Sequence, residues 1–202
     1  MAKQKLLLVD GSSLAFRAFF SILDLNRFKN ANGLHTNALY SFHRMFKSIL
    51  DSEKPTHVLV AWDAGKTTFR TEMYADYKGG RSKTPGEFIE QMPYFNVLLD
   101  AWGIPHYRLN QYEADDIIGT LAKQGEAAGY EVVVLSGDKD LIQLADNNIT
   151  VKITTKGVTE LVEYTPEVIF EKYGLTPEQI IDMKGLMGDS SDNYPGVTKV
   201  GE

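Results

Sequence analysis

Short apolar runs along the chain are each followed within three residues by an aspartate. The runs are 6–9, 58–62 and 132–135, and the aspartates are Asp10, Asp63 and Asp138. Apolar runs of this length, bounded by glycine or polar residues, predict buried β-strands. Because sites in α/β folds are built at the carboxyl ends of strands, these aspartates become candidate site residues.

Stretches with apolar residues at helical spacing separate these runs. We expect helices over 14–20, 37–50, 88–102 and 112–122, and two more that begin at Thr165-Pro166 and Thr176-Pro177. Ser12 or Ser13 is predicted to cap the first helix. Thr84 is predicted to open the third through a capping box, and Pro93 to kink it. Alternation with weaker strands at 104–109, 149–153 and 161–162 predicts an α/β fold with a mostly parallel sheet flanked by helices.

Composition narrows the class of protein. The 202 residues are 43% hydrophobic, which suits one large domain, or one domain and the start of another. The absence of cysteine excludes disulfides and thiolate-bound metals. The first apolar run is too short for a signal peptide, and no run reaches membrane-spanning length, so we expect a cytoplasmic protein without a membrane partner.

Nine acidic residues lie at the ends of predicted elements. They are Asp10, Asp63, Glu113, Asp115, Asp116, Asp138, Asp140, Asp189 and Asp192. Asp189 and Asp192 are three residues apart and are expected to share one side of a helical turn. Like charges gathered in a cleft cost free energy unless cations neutralise them, and magnesium prefers oxygen ligands. The pattern therefore predicts a two-metal site that hydrolyses a phosphodiester.

Each acid taken alone also has a structural interpretation. An aspartate after a strand is commonly a turn residue or helix cap, and acids in the first turn of a helix interact favourably with its dipole. The combination of nine favours the metal site. Without these acids the net charge of −6 becomes +3, which is compatible with a nucleic-acid substrate.

The stretch 64–83 is basic and aromatic. Its five cationic residues are interleaved with three aromatic residues. The cations are Lys66, Arg70, Lys78, Arg81 and Lys83, and the aromatic residues are Phe69, Tyr74 and Tyr77. Cations that contact phosphates beside rings that stack on bases are typical of single-strand binding. The alternative is a solvated surface helix with some rings in the core. Gly79-Gly80 suggests that the stretch becomes ordered when substrate binds.

Six motifs together resemble the amino-terminal 5′ nuclease domain of bacterial DNA polymerase I, of the flap endonuclease family. They are LLLVDGSSLAFRAFF, AWDAGKTTFR, YADYKGGR, YEADDIIGTLA, SGDKDLIQL and GLMGDSSDNYPGV, and they cover the chain in order. The resemblance implies a PIN-like core over 1–164, with a helical arch in 64–102. It also implies a truncated DNA-binding region over 165–202 that starts a helix–hairpin–helix element.

The same resemblance implies an activity. It is magnesium- or manganese-dependent cleavage at 5′ flaps, nicks and 5′ ends of DNA, as in primer removal, nick translation and repair. A polymerase domain in the full-length protein and a monomeric state are expected with it.

The resemblance also implies roles for individual residues, according to their positions in these motifs. The first metal ion would be held by Asp10, Asp63, Glu113, Asp115 and Asp116, and the second by Asp138, Asp140, Asp189 and Asp192. Lys78 would contact the scissile phosphate and act in catalysis with Arg81. DNA binding would also involve Arg70, Tyr77, Lys83 and Lys199.

The sequence departs from the family pattern near its end. The family's hairpin reads G-V-P-G-I-G, whereas 196–201 carries Thr198 and Lys199 in place of the proline and the second glycine. The chain then stops at Glu202, before the second helix of that element. Both departures weaken the case for a potassium ion at the hairpin and for a full grip on duplex DNA.

Three alternative functions remain. A phosphatase of the haloacid dehalogenase type also has an aspartate after its first strand, but it needs a second one where this chain has Ser12. A non-catalytic DNA-binding fragment conflicts with so much negative charge at the site. A stand-alone 5′ exonuclease relative is compatible with the sequence.

Overall fold

The fold is built on a six-stranded sheet. The computed structural model describes residues 3–65, 67–155 and 160–201. Lys66, which belongs to the basic stretch, and Glu202 lie outside the described residues. Strand order is β3-β2-β1-β4-β5-β6, with every pair parallel except β5 and β6. The strands are β1 (Lys5–Asp10), β2 (His57–Trp62), β3 (His106–Arg108), β4 (Glu131–Ser136), β5 (Ile149–Thr154) and β6 (Leu161–Tyr164).

Helices cover both faces of this sheet. They are α1 (Gly11–Phe20), α2 (Asn37–Glu53), α3 (Phe69–Met73), α4 (Gly86–Ile89), α5 (Met92–Ala101), α6 (Ala114–Ala127), α7 (Pro166–Tyr173) and α8 (Pro177–Met187). Short 3₁₀ helices occupy Leu25–Phe28 and Lys139–Leu144, and a two-residue ladder joins β7 (Gly188–Asp189) to β8 (Tyr194–Pro195). The expected mostly parallel α/β sheet is therefore confirmed. Among the described residues, no helix has the length and apolar character needed to cross a membrane.

Register explains why the strand-end aspartates share one edge. Leu8 in β1 is level with Leu59 in β2 and with Val134 in β4. Because all three strands run in the same direction, their carboxyl ends meet, and β1 lies between the other two.

Alternation along β1 divides the core into two layers. Leu7 and Val9 pack with α1, α2 and α5, whereas Leu8 packs with α6. The second layer includes Ile169 of α7 and Ile180 of α8, both fully buried. Helices α7 and α8 of the region 165–201 therefore pack on the sheet and share its core.

Gly11 permits α1 to start directly above the sheet. A Cβ atom at this position would lie 2.6 Å from Val60 Cγ1. A larger residue would push α1 away from β2 and displace the aspartate that precedes it.

Several predicted helix boundaries were wrong. Asp10, rather than Ser12 or Ser13, caps α1, because its carboxylate accepts the Ser13 amide at 2.9 Å. Pro85, rather than Thr84, precedes α4. The kink predicted at Pro93 is instead a break between α4 and α5, with the proline in the first turn of α5, where its missing amide costs nothing.

Residues 188–195 form a tight hairpin, so the helical turn predicted for Asp189 and Asp192 was wrong. Gly188 has a φ of 75°, outside the helical region, and ends α8. A Cβ at Gly196 would lie 2.1 Å from the Met187 carbonyl carbon, so the returning strand needs a glycine there. Asp189 nevertheless accepts the amides of Ser191 and Asp192, at 2.7 and 3.3 Å.

The segment 64–102, which we call the arch segment, is less helical than expected. Its helices are the short α3 and α4 and the ten-residue α5, and Tyr74 to Pro85 are turns and irregular backbone. Lys78 adopts a φ of 56° within these turns. The irregular part rests against the acidic edge of the sheet through ion pairs described below.

Candidate active site

Four acidic side chains form the centre of the site, and we call them the inner carboxylates: Asp10, Asp63, Asp115 and Asp138. Asp10 ends β1 and is 4% exposed. Its Oδ1 accepts the Ser13 amide at 2.9 Å, and its Oδ2 accepts the Ser136 hydroxyl at 2.7 Å. Both carboxylate oxygens are therefore fixed by short hydrogen bonds.

Backbone amides position two other inner carboxylates. Asp63 follows β2 and accepts the Ala114 amide at 2.8 Å, which ties β2 to the start of α6. Asp115 lies in that first turn of α6. Asp138 follows β4 and accepts the Asp140 amide at 2.9 Å, so it caps the following 3₁₀ helix.

The inner carboxylates repel one another. Burial raises the pKa of Asp10 to about 6, and the charges of Asp63 and Asp138 add to the effect. Burial also raises the pKa of Asp115 well above its usual range, with further contributions from Asp10, Asp138 and Asp63. Mutual influence of this kind requires that the four groups lie close together.

Cations are scarce around this centre. Within residues 3–65, 67–155 and 160–201, no lysine, arginine or histidine nitrogen lies within 4.0 Å of an inner carboxylate oxygen. The described part of the chain also has no group of three acidic or histidine side chains already arranged as a metal site. The donor set is nevertheless one that suits a hard divalent cation, since it consists of oxygen ligands whose charges need neutralising.

The other five acids form a surrounding group, which we call the rim carboxylates: Glu113, Asp116, Asp140, Asp189 and Asp192. Each contacts a basic side chain. Arg70 of α3 donates two hydrogen bonds to Asp116, at 2.8 and 2.7 Å. Burial would raise the pKa of Asp116, but these bonds outweigh it and hold that pKa below its usual range.

Besides Arg70, three side chains of the irregular part of the arch segment contact the rim carboxylates. Lys78 Nζ lies 2.8 Å from Glu113 Oε1, and an Arg81 nitrogen lies 2.7 Å from Asp192 Oδ1. The Tyr77 hydroxyl oxygen lies 3.1 Å from Glu113 Oε2 and 3.1 Å from Asp192 Oδ2, so its single proton can be donated to either carboxylate. Burial, followed by the charges of Glu113 and Asp192, raises the pKa of this tyrosine, so it remains a hydrogen-bond donor.

Lys184 of α8 bridges the remaining rim carboxylates. Its Nζ lies 2.8 Å from Asp140 Oδ1 and also contacts Asp189 Oδ2. Burial would lower the pKa of Lys184, but the two carboxylates raise it, so the lysine stays charged. Its pairing also helps to hold the pKa of Asp189 below the usual range, against the effect of burial.

A cleft of about 630 Å³ opens beside these groups. Six of the nine acids line it: Glu113, Asp115, Asp116, Asp138, Asp140 and Asp192. Asp10 and Asp63 act on Asp115 electrostatically, and Asp189 shares Lys184 with Asp140. The structure therefore brings all nine acids into one neighbourhood.

The predicted DNA-binding residues divide into two groups. Arg70 and Tyr77 line the cleft, and Lys78 and Arg81 contact carboxylates that line it. Lys83 and Lys199 are exposed and are not among the residues that line it in the described chain. Lys199 adopts a φ of 68° at the position where the family pattern has glycine, so the backbone of that turn is one that glycine favours.

Sequence reasoning missed two contributors to the site. Lys184 was not identified, although it lies five residues before Asp189 on the helix that leads to it. Ser136, just beyond the predicted strand at 132–135, was given no role, yet its buried hydroxyl contacts Asp10. Lys184 could have been found in the sequence as a basic residue on the predicted helix that leads to the acidic motif at Asp189. No sequence pattern distinguished Ser136 as a contributor to the site.

Comparison with protein families identifies this architecture. The model of the family described as "5'-3' exonuclease, N-terminal resolvase-like domain" matches residues 5–174. The chain belongs to this family. The resemblance to 5′ nuclease domains is therefore confirmed, and it extends across strands β1 to β6 and all of α7.

Curated proteins similar to this chain include DNA polymerases I, which is consistent with this family. DNA polymerase I of Streptococcus pneumoniae R6 is 63% identical over 203 residues, which cover 100% of this chain and 23% of the relative. The chain thus spans less than a quarter of the length of the curated relatives it matches. The match lies in their 5′ nuclease domain.

Solved structures show the same fold. The flap endonuclease of bacteriophage T5, crystallised as a complex with DNA and metal ions, is 27% identical with a TM-score of 0.72. That likeness covers 98% of this chain and 71% of the phage chain. Flap endonuclease-1 of Methanococcus jannaschii, 20% identical, has a TM-score of 0.58 over 98% of this chain and 68% of its own, and shows the fold alone.

Proposed function

We propose that this chain is a structure-specific 5′ nuclease that hydrolyses DNA phosphodiesters with two divalent metal ions, Mg²⁺ or Mn²⁺. Its substrates would be 5′ flaps, nicks and 5′ ends, in primer removal, nick translation and repair. The inner carboxylates are the single observation that carries the proposal, because four mutually repelling acids beside a cleft require positive charge there.

The metal ligands would come from the nine acids. Asp10, Asp63, Glu113, Asp115 and Asp116 would serve one ion, and Asp138, Asp140, Asp189 and Asp192 the other. Ions held there would activate water and stabilise the leaving oxygen. The inner carboxylates suit direct contact, while rim carboxylates that hold arginine or lysine suit contact through water, as magnesium retains several waters.

Basic side chains of the arch segment would bind the substrate. Arg70, Lys78 and Arg81 each hold a carboxylate at the cleft, and a DNA phosphate offers the same anionic oxygens. We infer that Lys78 and Arg81 exchange their carboxylate partners for phosphates near the scissile bond. Tyr77 stands beside both and offers a ring for a base to stack on. Lys83 and Lys199 would contact the DNA backbone farther from the cleft.

A labelled 5′-flap duplex tests the proposed function. Magnesium should support cleavage and EDTA should abolish it. Asp10→Asn should lose cleavage with magnesium present, whereas Asp182→Asn, which alters an exposed acid on α8 away from the cleft, should retain it. Cleavage that continues in EDTA would rule out metal-dependent hydrolysis. Tight duplex binding with no cleavage under any condition would instead favour a DNA-binding fragment without catalysis.

A further inference from the structure

Ser136 contacts two of the residues that supply inner carboxylates, the side chain of Asp10 and the backbone amide of Asp138. It is the last residue of β4 and its exposed fraction is 0%. Its hydroxyl donates to Asp10 Oδ2 at 2.7 Å and accepts the Asp138 amide at 3.0 Å. A single buried oxygen thus joins the end of β1 to the loop that follows β4.

A second serine completes the connection from the opposite side. The Ser13 hydroxyl accepts the Gly137 amide at 2.9 Å, and the Ser13 amide donates to Asp10 Oδ1. A Cβ at position 137 would lie 2.5 Å from Ser13 Oγ, so this approach requires glycine. The loop 136–138 is therefore fastened to Asp10 and to the start of α1 by two hydrogen bonds, one from Ser136 and one from Gly137.

We propose that Ser136 is a positioning residue whose hydroxyl sets the placement of Asp10 relative to Asp138, and so the geometry with which both carboxylates hold divalent ions. This role rests on the proposed metal-dependent function. Asp10 and Asp138 belong to the two different proposed metal sites. Ser136 would therefore link the two ions' ligand sets through the protein.

The geometry favours this role over one in packing alone. Packing at the buried end of a strand requires only a small side chain, which alanine would also provide. The hydroxyl has one proton, and it is directed to a carboxylate that is itself buried and needs hydrogen-bond donors. Residues that orient metal ligands from outside the ligand set commonly change metal affinity by about 10–100-fold when they are replaced.

Thr154 provides a matched control. It lies on the neighbouring strand β5, is also buried, and its hydroxyl donates to the Ser136 carbonyl at 3.5 Å rather than to an acidic side chain. Thr154→Val removes a buried hydroxyl at the same edge of the sheet with little change of shape. Ser136→Ala removes one that contacts Asp10.

The test measures Mn²⁺ binding in the absence of DNA, from the electron paramagnetic resonance signal of the unbound ion. Ser136→Ala should weaken Mn²⁺ binding by about tenfold or more, and Thr154→Val by less than about twofold. Thermal unfolding in EDTA establishes that each variant is folded. Should Ser136→Ala not fold, Ser13→Ala, which loosens the same loop through Gly137, is expected to weaken binding in the same direction.

The outcomes separate the two proposals. Equal Mn²⁺ affinity for the unaltered protein and a folded serine variant would overturn the positioning role while leaving the nuclease assignment intact. Equal loss in Ser136→Ala and Thr154→Val would also overturn it, because any buried hydroxyl at this edge would then suffice. An unaltered protein that binds no Mn²⁺ would overturn the proposed function, and the positioning role with it.

Discussion

The inner and rim carboxylates differ in what stands beside them. Inner carboxylates accept hydrogen bonds from backbone amides and a buried serine, as Asp10 does from Ser13 and Ser136. Rim carboxylates face arginine or lysine side chains, as Asp116 does with Arg70. Nine acids that look alike in sequence are therefore two chemically distinct sets.

Their pKa directions follow this division. Burial and neighbouring acids raise the pKa of Asp10 and Asp115 in the inner set. In the rim, basic partners outweigh burial and hold the pKa of Asp116 and Asp189 below the usual range. Asp140 is the exception, because burial, together with Asp138 and Asp189, raises its pKa despite Lys184.

The difference shows where positive charge is needed. Each rim carboxylate already pairs with a cationic side chain of the protein, whereas no inner carboxylate has such a partner within 4.0 Å in the described chain. A divalent ion therefore gains most by binding among the inner carboxylates. The rim cations, in turn, are the groups best placed to leave a carboxylate for a phosphate.

The sharpest way to break the comparison is one substitution in each set. Asp138→Asn should reduce flap cleavage with magnesium by roughly 10³-fold or more, since removal of one member of a catalytic unit commonly has effects of this size. Asp192→Asn removes a rim charge that Arg81 holds, and the loss should be nearer tenfold. Single-turnover cleavage measures both, and equal losses would show that the division has no functional meaning.

Two lysines of the arch segment sharpen the comparison next. Lys78→Ala should slow single-turnover cleavage by about 10²-fold, the scale of losing one charged donor to the reacting group. Lys83→Ala, at an exposed position away from the cleft lining, should change it by less than about threefold. Duplex binding, measured by fluorescence anisotropy, should change much less than cleavage for Lys78→Ala. A binding loss that equals the cleavage loss would make Lys78 an ordinary backbone contact.

The pH dependence of folding tests the inner set without substrate. In the unfolded chain an aspartate titrates near 3.9, whereas the pKa of Asp10 in the folded protein is about 6. As pH rises between these values, the unfolded state loses its proton first and becomes favoured, so Asp10 lowers stability. From pH 4.5 to 7 in EDTA, wild type should lose about 2 kcal/mol relative to Asp10→Asn.

Urea unfolding at both pH values measures this difference. Asp116 provides the control from the rim, because folding lowers its pKa. An aspartate of this kind stabilises the folded protein at pH values above its pKa in the unfolded chain. That stabilisation is lost as the pH falls through its pKa in the folded protein. Asp116→Asn should therefore lose stability relative to wild type at pH 7. The same sign for both substitutions would contradict the division.

The smallest expected effect is a change in thermal stability when the charge of Asp115 is removed. Asp115→Asn should raise Tm in EDTA by about 2–4 °C, because it removes one of the repelling charges. Magnesium should stabilise the unaltered protein, as any ligand of the folded state does, and should stabilise this variant less. Differential scanning calorimetry with and without magnesium provides both values. A lower Tm for the variant in EDTA would show that Asp115 is not under repulsion.

Local pattern predicted much of the scaffold. The run 132–135 predicted β4 because four consecutive apolar residues, bounded by Gly129 and Gly137 a few positions away, favour a buried strand. The helix start predicted at Thr176-Pro177 was also correct, because Thr176 and Gln179 form a capping box within the first turn of α8. Asp189 and Asp192 were misplaced because spacing alone does not distinguish a helical turn from a hairpin, which Gly188 and Gly196 decide through close backbone approach.

The sequence by itself determined the strands of the six-stranded sheet and the acids that follow three of them, because strand formation and turn chemistry depend on neighbours in the chain. Only the tertiary structure decided that Lys184 forms an ion pair with Asp140 and that Ser136 donates a hydrogen bond to Asp10. The second pair is 126 residues apart in the chain. Hydrogen bonds and ion pairs act over a few ångströms in space. Only the packing of parallel strands and their covering helices brings such distant residues within that range.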